Sequence, residues 1–418
     1  MTDWGAVHLD VCDTDLYDDP WDAYRWLREQ DGLYRDETNG LWVAARYEDV
    51  FEISRDPGRY ITSNGVRPKL KAPLSLLCED DPEHTRQRRM INRGFTPKRV
   101  RELLPHIREL SNQIIDDVQA KGEIDFVEDF AIHVPLIVIC ELMGLDPETR
   151  LKMYRWSDQM MAGDGHTDPD DPVLQGATEA FVEYNQMCAE LIAQRRAAPA
   201  DDLISILVSK FDEGELGHEE FRNLAGEPIA GDPLGDDELN LFLTVLLIAG
   251  NETTRNAITG GLLGLSRFPD ERRRLIDHLD DERFADLAVD ELIRWVSPVI
   301  GFTRTVTEDH VRRGTELKAG DEVLMLYQSA NRDESVFDRA DELVLDRDPN
   351  PHLAFGIGPH FCLGANLARL EVKIVFQELF RRLPDIHVPE GAERVRGASG
   401  LVIALQNLPA RFTPVFAA

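Results

Sequence analysis

The sequence predicts an α+β fold, mainly α-helical with small β-sheets, in a single domain over residues 1–418. Apolar residues recur at helical spacing through most of the chain, and short β-rich runs occur near its two ends. The two kinds of segment interleave without a break in composition, and the sequence contains no internal repeat. One domain is therefore the economical interpretation. We expect a short mobile segment at about residues 1–15.

The predicted elements follow from apolar spacing and from the residues that bound each run. Helices are predicted where apolar residues line one face, at residues 21–30, 47–55, 97–120, 130–143, 148–161, 174–196 and 203–211. Short strands are predicted at residues 41–45, 322–327 and 401–406. Gly, Pro and Asp accumulate in two predicted loops, at residues 163–172 and 224–237.

The longest predicted helix begins at residues 236–238, where three acidic residues favour a helix N-terminus. Its next part, residues 241–248, is apolar on nearly every side, which predicts burial through the middle of the protein. We expect the helix to continue to Leu265, across a polar break at residues 249–254.

This break has the sequence Ala249-Gly250-Asn251-Glu252-Thr253-Thr254, which is costly in a buried helix unless it serves a function. Gly250 removes a side chain where a ligand could sit. Glu252 and Thr253 provide an ionisable group and a hydroxyl in an apolar setting. These residues are candidates for a proton path, and an ordinary capping or kink site is the alternative.

Composition excludes several classes of protein. Hydrophobic residues make up 43% of the chain, yet no apolar stretch approaches the ~20 residues that cross a bilayer. The N-terminus lacks both the basic start and the apolar run of a signal peptide, so we expect a cytoplasmic protein without a membrane span. Five widely spaced cysteines without a Cys-x-x-Cys pair argue against a disulfide framework and a zinc ribbon.

The charge balance argues against nucleic acid or an anionic membrane as a partner. The net charge is −31, from 46 Lys and Arg against 77 Asp and Glu. Residues 84–101 are a local exception, with seven basic residues and no acidic one. This run is either a docking face for an acidic protein or an ordinary solvated helix surface.

One cysteine, Cys362, lies in a glycine-rich sequence, FGIGPHFCLG at residues 355–364. Gly356, Gly358 and Gly364 allow backbone conformations closed to other residues, so the chain can fold tightly around the sulfur and approach a flat ligand. Backbone N–H groups and the N-terminus of the helix predicted next would stabilise a thiolate. The arrangement is typical of a metal-bound thiolate, and an inert buried cysteine is the alternative.

The pattern Phe355-x-x-Gly358-x-x-x-Cys362-x-Gly364 resembles the haem-ligand loop of the cytochrome P-450 family. The sequence at residues 249–254 resembles the oxygen-binding groove of that family, and Glu-x-x-Arg at residues 291–294 resembles its buried ion pair. The resemblance extends from about Trp21 to the C-terminus and is strongest between residues 241 and 364. It implies the P-450 fold, in which haem b lies between a long central helix and the Cys-ligand loop.

The resemblance also implies a role for each matching residue. Cys362 would be the axial ligand of the haem iron, Thr253 would hydrogen-bond dioxygen, and Glu252 would relay protons to it. The structural residues would be Glu291 and Arg294, with Arg347 as the candidate third partner. The other haem contacts would be His84, Arg88, Ala249, Gly250, Arg304, Phe355, Gly356, His360 and Gly364.

By this resemblance the protein is a haem-thiolate monooxygenase of soluble bacterial type that uses O2 to hydroxylate a hydrophobic small molecule. No segment after the Cys362 helix is long enough for a flavin or nicotinamide domain, so electrons would come from a ferredoxin-like partner. That partner would dock near Arg86, Arg88, Arg89 and Arg93. The alternatives from other classes are a peroxygenase, which needs no partner, and a haem sensor, which does not require Glu252 and Thr253.

The substrate expected from the resemblance is a steroid, a terpenoid or a fatty-acid-like molecule. The segments that line the family's pocket are apolar here, which suits a hydrophobic ligand. The sequences at residues 249–256 and 65–68 resemble actinobacterial members that oxidise steroids or branched lipids. Tailoring of a polyketide or another natural product is the alternative. The pocket residues would be Phe242, Leu246, Ala249, Val299, Ile300 and Val402.

Overall fold

The computed structural model describes residues 8–68, 74–92, 95–163, 166, 168–212 and 236–416. Arg93 and most of the loop predicted at residues 224–237 lie outside these residues. The segment expected to be mobile packs against the fold from Leu9 onward. Leu9 and Val11 are buried, and the Val11 amide donates to the Asp36 carboxylate at 2.9 Å. Apolar side chains thus pack part of this segment against the fold, and its mobility stays a prediction.

Helices dominate the described residues. They are α1 (Trp21–Glu29), α2 (Tyr47–Arg55), α3 (Glu83–Ile91), α4 (Pro97–Glu102), α5 (Leu104–Val118), α6 (His133–Leu142), α7 (Pro147–Ala162), α8 (Pro172–Ala197), α9 (Leu203–Asp212), α10 (Asp236–Arg267), α11 (Pro269–Asp277), α12 (Glu282–Val296), α13 (Tyr327–Ala330) and α14 (Ala365–Arg382). Each helix predicted from apolar spacing is present, with ends that shift by a few residues.

One helix prediction needs correction. The helix expected over residues 97–120 is divided into α4 and α5, which meet at Leu103. Pro105 accounts for the division, because it has no backbone N–H with which to continue α4. The long helix continues past Leu265 as expected, and the polar residues 249–254 do not interrupt it, since α10 is one continuous helix of 32 residues.

Eleven strands lie within the described residues. They are β1 (Tyr34–Asp36), β2 (Leu41–Ala44), β3 (Tyr60–Ile61), β4 (Glu123–Asp125), β5 (Gly301–Val306), β6 (His310–Arg312), β7 (Thr315–Leu317), β8 (Glu322–Leu326), β9 (Val395–Arg396), β10 (Leu405–Asn407) and β11 (Pro409–Arg411). One sheet has five strands in the order β1-β2-β8-β5-β3, with β2 and β8 parallel and the other pairs antiparallel. Three two-stranded sheets pair β10 with β9, β11 with β4 and β6 with β7.

The strand expected over residues 401–406 is mostly irregular. Only β10, at its end, is a strand, and Val402 makes an isolated antiparallel bridge with Val299. Ala404 interrupts the run, because its φ of 52° lies in the left-handed region.

The largest hydrophobic core surrounds α10, which contacts α6, α8, α12 and α14. Glycines let two of these helices approach closely. A Cβ on Gly260 would lie 2.7 Å from Val296 of α12, and one on Gly261 would lie 2.7 Å from Phe376 of α14. This packing holds residues 249–254 inside the molecule. Among the described residues, no helix is both long and apolar enough to span a membrane.

Candidate functional site

The Cys362 loop is a tight turn that depends on two glycines. The Cys362 amide donates to the Phe355 carbonyl at 2.8 Å and closes the loop. Gly356 and Gly358 have φ values of 67° and 77°, in the left-handed region that favours glycine. A Cβ on Gly358 would also lie 2.6 Å from the Ser54 carbonyl oxygen of α2. The loop is thus shaped by its own backbone and by close contact with α2.

Gly364 and Phe355 flank this loop. Gly364 differs from its predicted role, because its φ of −83° is accessible to any residue. A Cβ on Gly364 would have no described neighbour within 4 Å. The Phe355 ring packs under the Arg369 guanidinium, which lies 4.5 Å from the ring centroid.

The Cys362 side chain lies deep in the protein but is open to internal space. Burial raises the pKa of the thiol, whereas the backbone N–H groups of Gly364 and Ala365 and the cations Arg88 and Arg369 lower it. The stabilisation expected from the loop and the helix N-terminus is present, but burial outweighs it. A metal cation bound to the sulfur would make the thiolate the stable form.

A cluster of nitrogen-bearing side chains lies beside this loop. Its members are His84 and Arg88 of α3, Arg304 of β5 and His360 of the loop. The rings of His84 and His360 lie 4.1 Å apart, and Arg88 donates to the Phe361 carbonyl. Burial, followed by the charges of Arg304, His84 and Arg88, lowers the pKa of His360 to about 2. Nε2 of His84 is buried and has no hydrogen-bond partner within the described ranges. Such a cluster suits an anion.

One face of α10 is open although the helix is otherwise enclosed. Ala249 is exposed and Thr253, four residues later, is partly exposed, whereas residues 254–260 are buried. Because α10 runs through the core, we infer that this face borders internal space. The Thr253 hydroxyl donates to the Ala249 carbonyl at 2.7 Å, which leaves its oxygen free to accept a hydrogen bond.

A buried ion-pair network fixes the segment that leads to the Cys362 loop. Glu291 and Arg294 of α12 are fully buried and form a bidentate pair with distances of 2.7 and 2.8 Å. Arg347 is the third partner, since its Nε donates to Glu291 at 3.0 Å. Arg294 also donates to three backbone carbonyls between residues 331 and 342. The side chains of two helical residues thereby hold an otherwise irregular stretch.

Comparison with known proteins decides the family. A model of the cytochrome P-450 family matches residues 170–410, more than half of the chain. The chain belongs to the cytochrome P-450 family. A steroid C26-monooxygenase of Mycolicibacterium smegmatis is 36% identical to it over 394 residues, which cover 94% of this chain and 92% of that protein. A methyl-branched lipid omega-hydroxylase of Mycobacterium bovis is 38% identical over 388 residues, with coverages of 89% and 84%.

Solved P-450 structures share the fold along nearly the whole chain. CYP109E1 from Bacillus megaterium in complex with testosterone superposes with a TM-score of 0.83 at 30% identity, covering 95% of this chain and 99% of that one. A Mycobacterium marinum cytochrome P-450 in complex with pseudoionone gives a TM-score of 0.83 at 31% identity, with coverages of 97% and 99%. The predicted P-450 fold, haem b, O2 and monooxygenase class are confirmed.

The residues present fit a haem in this P-450. The Cys362 loop and the open face of α10 would hold the haem between them. The sulfur is open to internal space, and Ala249 and Thr253 form the open face of α10. The unsatisfied Nε2 of His84 and the neighbouring cations suit the two carboxylates of haem, its propionates.

Two predicted site residues of the P-450 pack against other elements of the fold, because a motif does not reveal which way a residue faces. A Cβ on Gly250 would lie 3.1 Å from Ile139 of α6, so this glycine allows close packing of the two helices. Ile300 packs with Leu9 and Leu41 in a smaller core beside the N-terminus. Successive residues of an extended chain point to opposite sides, so the neighbouring Val299 faces elsewhere.

The remaining pocket residues lie on two elements. Phe242 and Leu246 are buried on α10, in the main core. Val299 is half-buried, and its bridge to Val402 brings the two chain segments together. The structure therefore shows two separate apolar groups among the predicted pocket residues, one on α10 and one at the bridge between Val299 and Val402.

The Glu252 side chain is more deeply buried than we expected for a residue that relays protons from solvent. Its side chain is 1% exposed, pairs with Arg255 and accepts a hydrogen bond from Asn256 at 3.0 Å. Sequence reasoning missed both partners, although spacings of three and four residues on a helix could have indicated them. It also missed Glu371 of α14, which hydrogen-bonds Thr254 and whose pKa burial raises to about 8.

The basic run does not form one uniform surface. Arg89 is exposed, whereas Arg86 lies 3.8 Å from the Glu83 carboxylate. Arg88 turns inward to the Phe361 carbonyl beside Cys362. Of its two predicted roles, the one at the haem edge therefore suits Arg88 better than partner docking.

Proposed function

We propose that this P-450 hydroxylates a steroid or a methyl-branched lipid, using O2 and two electrons from a ferredoxin-like protein. The observation that carries the proposal is the 36–38% identity, across most of the chain, to enzymes named for those two substrate classes. The apolar side chains of Leu246, Val299 and Val402 support it, because apolar walls with few polar groups suit such ligands.

Haem bound through Cys362 supplies the oxidising chemistry, because a thiolate ligand favours cleavage of the O–O bond. The side chains of the protein position the substrate, exclude water and move protons. Thr253, held by the Ala249 carbonyl, is the hydroxyl through which protons enter the haem pocket. Glu252, one residue earlier, is the acid that supplies them.

Binding and turnover with a matched substrate set test the proposal. The set contains a sterol with its full side chain, testosterone without one, a methyl-branched fatty acid and a macrolide polyketide. We expect the sterol or the branched acid to shift the haem absorption band at the lowest concentration. With a ferredoxin and its reductase, the same compound should yield a product one oxygen atom heavier. Oxidation of the polyketide alone would contradict the proposal, and equal turnover with peroxide alone would indicate a peroxygenase.

The electron donor would dock on a basic surface formed by Arg86 and Arg89 of α3 and by Lys98 and Arg101 of α4. Arg89, Lys98 and Arg101 are exposed, and α3 reaches the Cys362 loop through Arg88. A local basic surface on a chain of net charge −31 suits an acidic partner. A cytoplasmic location belongs to this proposal.

A further inference from the structure

A cluster of buried polar side chains surrounds Glu252 on α10. Asn251, Glu252, Arg255 and Asn256 are between 0% and 4% exposed. Polar and charged groups at such depth are costly unless they are paired or hydrogen-bonded. Their concentration within two turns of the central helix therefore calls for a functional explanation.

The bonds of this cluster fix one oxygen of Glu252. Oε1 accepts from Arg255 Nη2 and from Asn256 Nδ2, the second at 3.0 Å. Asn256 is itself anchored, because its Oδ1 accepts from the Leu405 amide at 3.1 Å. Arg255 supplies the positive charge that a buried carboxylate needs, and Asn256 fixes the direction of the carboxylate.

The other atoms of the cluster are unsatisfied. Within the described part of the chain, Glu252 Oε2, Asn251 Oδ1 and Arg255 Nε are buried and have no hydrogen-bond partner. Two acceptors and one donor within a short stretch of helix suit ordered water, which commonly satisfies buried polar groups. The atoms of the cluster that can still bind water are thus Glu252 Oε2, Asn251 Oδ1 and Arg255 Nε.

The cluster is joined to α7, which carries a partly exposed tyrosine. Asn251 Nδ2 donates to Ser157 of α7 at 3.3 Å, which joins the two helices here. Tyr154, one turn earlier on α7, is 36% exposed. Burial raises the pKa of its phenol, and the charges of Asp158, Arg255, Glu128 and Glu252 also act on it. Tyr154 therefore lies between the buried cluster and the surface.

We propose that Arg255 is the positioning residue of the proton path, and that water enters between α7 and α10 beside Tyr154. Arg255 holds Oε1 of Glu252 and leaves Oε2 to exchange protons with that water. Oε2 takes one proton that this water relays from bulk solvent, so the water itself is left unchanged. Glu252 passes the proton to the Thr253 oxygen, and the Thr253 hydroxyl releases its own proton into the pocket. The carboxylate is regenerated, and no electrons move. This inference rests on the proposed monooxygenase function of Thr253 and Glu252.

An infrared measurement on the resting enzyme tests the role of Arg255 without turnover. In Arg255→Met the buried carboxylate loses its counter-charge, so we expect Glu252 to become a neutral acid with a carboxylic C=O band at neutral pH. Glu371 contributes a band of its own, so each enzyme is compared with its Glu252→Gln counterpart. Arg255→Lys should restore the ionised form. A spectrum of Arg255→Met that matches the wild type would overturn the proposal.

Coupling of oxygen use to product gives the second readout. We expect Arg255→Met to hydroxylate at about one tenth of the wild-type rate or less and to release more peroxide, as in Thr253→Ala. Arg195→Met is the matched control, because Arg195 forms a similar enclosed pair with Asp202 away from α10. The control should lose stability and keep its coupling. Equal peroxide release from both variants would contradict the proposal.

Two further variants keep the test decisive. Arg255→Gln replaces Arg255→Met if the latter does not fold, because it removes the charge and keeps a polar group. Tyr154→Trp should slow proton entry and increase the solvent hydrogen isotope effect, while the infrared spectrum stays that of the wild type. If no sterol or lipid is oxidised but the infrared result holds, the substrate assignment fails and the role of Arg255 stands.

Discussion

At the scale of single residues, the three glycines of the haem-ligand loop differ in backbone conformation. Two of them have φ values that favour glycine, and the third does not. Gly358 combines a φ of 77° with a position 2.6 Å, measured from its ideal Cβ, from the Ser54 carbonyl oxygen. Gly364 has neither constraint. Glycine is thus needed at position 358 for the backbone conformation and for close contact with α2. At position 364 neither the backbone conformation nor a described neighbour requires glycine.

Gly358→Ala should destabilise the protein by about 1–3 kcal/mol and lower the haem content, because a Cβ strains the backbone and clashes with α2. Thermal unfolding and the ratio of haem to protein measure the two effects. Gly364→Ala is the control for stability and should leave thermal unfolding nearly unchanged. Equal losses of stability in the two variants would contradict the role assigned to Gly358.

The residues that the sequence identified belong to short motifs in which neighbours along the chain also meet in space. Cys362 and the pair of Glu291 with Arg294 are of this kind, because a tight turn or one helix face brings them together. The packing of Gly250 against α6 and of Ile300 against the N-terminal segment could not be predicted, because no local motif encodes these contacts. Arg255 was overlooked because its burial follows from packing of α10 against other helices.

At the scale of elements, α10 and α14 are joined by a buried hydrogen bond between Thr254 and Glu371. Burial raises the pKa of Glu371 from 4.5 to about 8, and the Thr254 hydroxyl partly offsets this. The acid is therefore neutral in the folded protein across much of the physiological range. The helix that carries Thr253 and the helix that follows Cys362 thus share a contact that depends on one proton.

The pH dependence of stability should report this proton. Between about pH 4.5 and pH 8 the folded protein holds it and the unfolded chain has released it, so stability falls as pH rises. Glu371→Gln removes this dependence. The Tm of the variant minus that of the wild type should therefore increase as the pH rises from 5 to 8. Glu378→Gln, on the same helix but ion-paired with Arg108 at 2.9 Å, is the control for removal of a carboxylate from α14. Parallel curves for wild type and Glu371→Gln would contradict the assignment.

At the scale of the whole molecule, a net charge of −31 opposes the approach of any acidic partner. A basic surface beside the haem loop would direct such a partner to one side of the protein. The distribution of charge, more than its total, then determines where electrons enter.

Arg89→Glu should slow the first electron transfer from an acidic ferredoxin several-fold and make its salt dependence shallower, because it removes local attraction. Arg273→Glu, at an exposed position on α11, changes the net charge equally and should have little effect. Stopped-flow reduction of the haem across a range of salt concentrations measures both. Identical kinetics in the two variants would locate the docking site elsewhere.

The ion-pair network of Glu291, Arg294 and Arg347 contains only protein atoms, and the Leu353 amide adds a bond of 2.6 Å to the Asn331 side chain. The contacts that stabilise the frame of the haem loop therefore do not include the porphyrin. Removal of the haem should leave this ion-pair network in place, so that the emptied protein can take the cofactor up again.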